Sequence, residues 1–172
     1  MNPLRPRKLQ ALFGLVAVTL FVAAPAYAQG VSDLQGRFDR EKNAVAKAKL
    51  LEKLGDAQFD EARHAEKEGD NSAVDLTLEK YRDNVRAALE ALKKQHPDAE
   101  KHSNGYRQME MHLKHGIREV EESMLAAPPP YKPPLQIVRQ ELIEIDDELI
   151  RLLFPHRPAP EKPSAPPAEK QL

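Results

Sequence analysis

Histidine is the side chain in this sequence best suited to chemistry near neutral pH, and two of the six histidines stand close together. His112 and His115 are three apart, with Gln108 before them and Glu119 after. At about 100° per residue, Gln108, His112, His115 and Glu119 fall within an arc of roughly 60° on a helix. Neutral imidazoles and a carboxylate on one helical face are ligands for Zn, Cu or Ni. The apolar stripe of the same segment points about 130° away, which predicts that this set lies on the wet face. A closed structural site needs a fourth ligand from another element, and the His-Glu-x-x-His pattern of the zincins is absent. His112, His115 and Glu119 are therefore the best metal-ligand candidates in the chain, but the expectation is solvated side chains with no metal and no cofactor.

The other reactive residue types have plainer readings. Met109 and Met124 fall on apolar helical positions and read as core filling rather than haem or copper ligation. His102 reads as a capping or partly buried histidine. Glu141, Glu144, Asp146, Asp147 and Glu148 interleave with an apolar seam and face out, unlike the inward Glu and Glu-x-x-His sets of carboxylate-bridged metal centres. The chain has no Cys, which rules out a disulfide scaffold, a thiolate zinc finger, an iron–sulfur protein and a thiol enzyme. No serine has a triad context, and no glycine-rich loop follows a strand. No catalytic residue and no enzyme activity is expected.

The elements that carry these residues are helices throughout. Residues 32–127 are rich in Ala, Leu, Glu, Lys and Arg and contain a single proline, Pro97. No stretch alternates apolar and polar over a strand length. A first helix is expected from Ser32, capped with Gln35 three residues on, to about Glu68, with a kink or change of partner near 46–50 where its apolar stripe shifts. A second follows Gly69-Asp70 with Val74, Leu78, Tyr81, Val85, Ala88 and Leu92 as a sustained seam. A third is expected from near Pro97, with a weak point at Asn104-Gly105 and a firm part on Tyr106, Met109, Leu113, Ile117, Val120 and Met124. The fourth carries Leu135, Val138, Leu142, Ile145, Leu149 and Leu152, with Ile143 and Ile150 on a second face. The fold class is all-α, an antiparallel bundle of about four helices over 32–154, with 128–134 as a proline-rich linker. Residues 155–172 hold six prolines and read as a disordered tail.

Residues 1–28 read as a secretory signal. Arg5, Arg7 and Lys8 precede an apolar run from Leu12 to Ala24, and Ala26-Tyr27-Ala28 is a small-x-small cleavage site. Loss of those three cations takes the formal net charge from -1 to -4. A mildly acidic chain argues against nucleic acid or anionic lipid as a partner. The expected location is the periplasm or the exterior, with no membrane insertion after cleavage.

Two resemblances follow from particular residues. The stretch from Arg40 to Leu92, with its Gly69-Asp70 turn and Leu78-x-x-Tyr81-x-x-x-Val85, resembles exported bacterial helical-hairpin domains of unknown function. Leu76-Thr77-Leu78-Glu79-Lys80 is similar to the Leu-Thr-x-x-Gln motif of the Spy-type periplasmic chaperones, with Lys80 in the place of Gln. The first resemblance implies no activity; the sequence as a whole reads as a non-catalytic structural or protein-interaction module of the envelope, and the Spy-type resemblance implies the alternative, a periplasmic chaperone or metal-stress protein. The partners expected are other proteins, including a second copy through helix 135–154. Intact-mass measurement on protein from the envelope fraction is expected to give an N-terminus at Gln29, and a retained Met1 would contradict cleavage.

Overall fold

A computed structural model describes residues 26–156, with side chains from Gly30 onward. Of the expected leader 1–28, residues 1–25 lie outside the described residues and 26–28 fall in the first helix; of the expected tail 155–172, residues 157–172 lie outside them. The described residues are all-α: α1 (Ala26–Arg40), α2 (Ala44–Glu68), α3 (Asn71–Gln95), α4 (Ser103–Ala126) and α5 (Lys132–Leu153), with a 3-10 turn at Pro129–Tyr131. No described helix is long and apolar enough to cross a membrane.

The long first helix expected over 32–68 is two helices. The break falls at Glu41-Lys42-Asn43, ahead of the apolar shift near 46–50. Asn43 is the physical reason: its side-chain oxygen accepts from the Ala46 N–H at 2.9 Å, which starts α2 afresh. Gln95 locks the break from α3, accepting from the Ala44 N–H at 2.9 Å and donating to the Lys42 carbonyl. The chain then turns back, so Phe38 of α1 is buried beside Lys47 of α2, whose ammonium lies 4.2 Å from the ring centroid. α2 ends at Gly69, whose φ of 77° is the left-handed conformation that glycine adopts without strain. Asp70 caps α3, its side chain accepting from the Ala73 N–H.

Two further boundaries differ from the sequence reading. α4 starts at Ser103 instead of near Pro97, since residues 99–102 form a turn and Asp98 holds the Lys101 N–H. Gly105 lies inside α4 and permits close approach, because a Cβ there would stand 2.7 Å from Leu92. The proline linker is shorter than 128–134: Pro133 and Pro134 occupy the first turn of α5, where an N–H has no helical partner to lose.

Long-range polar contacts fix how the helices run. Glu52–Gln108 and Arg63–Glu119 both join residues 56 apart, so α2 and α4 lie parallel and in register. Arg86–Glu141 and Lys93–Glu148 join residues 55 apart, so α3 and α5 are also parallel. α2 packs most heavily on α3, and α4 on α5, each pair antiparallel. The seam residues Leu78, Tyr81, Val85, Leu92, Tyr106, Met109, Leu113, Leu135, Leu142 and Leu149 are all fully buried. Leu142→Ala is expected to lower stability by about 2–5 kcal/mol in urea unfolding, and Asn43→Ala by about 1 kcal/mol through loss of the cap.

Candidate functional site

A groove of about 590 Å³ runs between α2 and α4. Glu52 and Asp56 line it from α2, and Asn104, Arg107, Gln108, Met111, His112 and His115 from α4. The groove therefore gathers three of the four residues expected to share a helical face. Glu119 lies beyond it, where its carboxylate accepts from Arg63 of α2 and stands 3.6 Å from His115 Nε2. Gln108 donates to Glu52 across the groove at 2.9 Å.

His112 is not on the wet face. It is 8% exposed, while the His115 side chain is 41% exposed. The reason is a glycine on the facing helix. At Gly55 of α2 a Cβ would overlap His112 Nε2 and would stand 2.9 Å from the Tyr81 ring. With only hydrogen there, the flat imidazole slides against the α2 backbone. Its ring centroid is 5.7 Å from that of Tyr81 and 6.0 Å from that of Phe59. His115, one turn on, meets the edge of Phe59 at 5.4 Å.

Tyr81 enters the same junction from α3 and is fully buried. A second helical glycine, Gly116 of α4, makes room for it, since a Cβ there would overlap the Tyr81 hydroxyl and ring. Phe59 meets the Tyr81 ring edge-on at 4.6 Å. Burial raises the phenol well above its ordinary range, so Tyr81 stays neutral. Burial likewise lowers His112, against the opposing pull of Asp56, and keeps the imidazole neutral at pH 7. Neither Tyr81 Oη nor His112 Nε2 has a hydrogen-bond partner among the described residues.

The three metal-ligand candidates do not converge. His112 Nε2 faces Gly55, while His115 and Glu119 turn toward each other and Arg63. Among the described residues no three His, Asp or Glu side chains are placed to share one ion. Met109 is buried in the core and Met111 is 72% exposed at the groove. His102 is exposed, makes no capping bond to α4, and stacks on His96 with centroids 5.1 Å apart. Of the α5 carboxylates, Glu141 pairs with Arg82 and Arg86, and Glu148 with Lys93, along the edge shared with α3. Asp146 is raised by burial, beside Lys114 and Glu110 of α4.

Sequence reasoning missed a buried amide cluster. Gln35 and Asn84 exchange two hydrogen bonds of 2.9 Å, and Asn84 donates to buried Gln58 at 3.4 Å, tying α1, α2 and α3. The signal was faint: Asn84 sits one residue from Val85 in the α3 seam, and Gln58 beside Phe59.

His112→Ala is expected to cost about 2–3 kcal/mol in urea unfolding at pH 7.5, because a buried ring leaves a cavity at a three-helix junction. His115→Ala should stay within about 0.5 kcal/mol, the range of exposed positions. Equal small effects would contradict the assignment of His112 to the core.

In sequence the chain matches no protein-family model and no curated protein, and in fold it matches no solved structure. The two resemblances drawn from sequence therefore rest on their quoted residues alone.

Proposed function

We propose that the chain is an exported, non-catalytic helical module of the bacterial envelope that works by protein–protein contact, with α5 as its self-associating surface. In this reading α2 to α5 form an antiparallel four-helix bundle, α1 is a fifth helix laid against it, and the residues beyond 156 are a disordered proline-rich tail. The location is periplasmic or secreted, argued from the signal-like residues 1–28.

The observation that carries the reading is the surplus of apolar side chains on α5. This helix already buries Leu135, Val138, Leu142, Ile145, Leu149 and Leu153. Beyond those, Ile137 is 58% and Phe154, just past the helix end, 48% exposed, and Ile143 and Ile150 are half-buried. A helix facing one core needs a single apolar stripe, and apolar residues on further faces favour a second partner. The groove between α2 and α4 offers little for catalysis. Glu52 is bonded to Gln108, and among the described residues His112 meets two aromatic rings and His115 and has no hydrogen-bond partner at Nε2.

Sedimentation velocity decides the matter. The parent chain is expected to associate as its concentration rises through the micromolar range. Ile137→Asp should sediment as a monomer with unchanged helicity, because the residue is exposed in the protomer. A parent chain that is monomeric throughout would contradict self-association through α5.

A further inference from the structure

His112 is a titratable ring seated at a junction of three helices, and its seat is shaped for the neutral form. The neutral ring carries one N–H and one lone pair, whereas the protonated ring carries two N–H donors. Nε2 faces the Gly55 backbone in a slot that a single methyl group would fill, and it has no acceptor among the described residues. Phe59 of α2 and Tyr81 of α3 cover the ring, and neither bears charge. The charged and titratable groups that act on it are Asp56 and Glu52 of α2 and His115 of α4. Both carboxylates are exposed at the groove, so water screens them. α5 meets α4 elsewhere, through Arg139 on Glu121 and Asp146 near Lys114 and Glu110.

The two halves of the α2–α4 contact are held differently. Glu119 fastens the lower half to Arg63, and the short turn at Pro129–Tyr131 ties the end of α4 to α5. The upper half has the Glu52–Gln108 bond, the seated His112 ring and, at its start, the close approach of Gly105 to Val45 of α2 and Leu92 of α3, with Tyr106 donating to the His96 carbonyl.

We propose that His112 is an acid-sensitive latch: protonation unseats the ring from the Gly55 slot and lets the upper half of α4 move away from α2, while α2 and α3 stay paired. This goes beyond the interaction reading and does not depend on it. Burial holds the seated imidazole below the ordinary value of 6.5. The open arrangement, with its ring in water, therefore binds the proton more readily than the closed one. The closed arrangement is fully favoured above about pH 6.5 and loses ground as the pH falls below it. By pH 5 the open-to-closed ratio rises by at most about 30-fold, set by the 1.5 pH units below 6.5.

The chain has no Cys, so spin labels can be placed cleanly. One pair, Lys53→Cys with Met111→Cys, spans α2 and α4, and a second, Lys53→Cys with Glu90→Cys, spans α2 and α3; all three positions are exposed. In pulsed electron–electron distance measurements the α2–α4 pair should gain a longer component at pH 5 that is minor at pH 7.5. The α2–α3 pair should not change. Asp56→Asn removes an anion that supports the charged ring in its seat, and should enlarge the longer component at pH 5. His112→Gln should abolish the response. Identical α2–α4 distributions at the two pH values would overturn the latch, as would a response that survives His112→Gln or both pairs broadening together. If His112→Gln does not fold, Asp56→Asn decides: a longer component no larger than the parent's contradicts the proposal.

Discussion

The packing of three helices converges on one side chain, Tyr81, which is threaded between two helical glycines. Gly55 lets its ring and His112 approach α2, and Gly116 lets its ring and hydroxyl approach α4. Each glycine is there against helix propensity, by about 0.5–1 kcal/mol relative to Ala. The buried hydroxyl, with no partner among the described residues, costs roughly 1–3 kcal/mol more. Burial of an aromatic side chain of about 150–250 Å² returns roughly 4–6 kcal/mol at 25 cal/mol per Å². The ring wins, and with it the close approach of α2, α3 and α4. The groove, the seat of His112 and the position of α4 follow from that contact.

Polar side chains then set the register. The offsets of 56 residues between α2 and α4, and 55 between α3 and α5, keep each parallel pair level. Exposed ion pairs contribute about 0–1 kcal/mol each, so they choose among alignments more than they hold the fold. The Gln35–Asn84 amide pair does the same for α1, which is also anchored by the buried Val31 and Phe38, by Lys47 on the Phe38 ring and carbonyl, and by the partly covered Leu34. A helix attached in this way depends on its seat on α2 and α3, which explains why the chain breaks cleanly at Asn43 and folds back.

The long seams were legible because burial there obeys a simple period. Val74, Leu78, Tyr81, Val85, Ala88 and Leu92 are buried as their spacing requires, and so are Leu135, Val138, Leu142, Ile145 and Leu149. The break at 41–43 was not, since Asn43 acts through one side-chain hydrogen bond that apolar periodicity does not register. His112 was misplaced for a related reason. Its own helix puts it at the margin of the apolar face, and the glycine that admits it is on another helix, 57 residues earlier in the chain. Asn84 and Gln58 were hidden because a buried amide pairs with a partner distant in sequence. Patterns local to one helix reveal which face is covered, whereas glycine slots and amide pairs are properties of two helices at once.

Gly116 seats Tyr81, and a double-mutant cycle in urea unfolding measures that coupling. Gly116→Ala should cost at least about 2 kcal/mol when Tyr81 is present, because the new methyl overlaps the ring. In a Tyr81→Leu background, with the ring gone, the same change should become neutral or stabilising by up to about 1 kcal/mol, as helix propensity alone dictates. An equal cost in both backgrounds would contradict the account and place the constraint on Gly116 elsewhere.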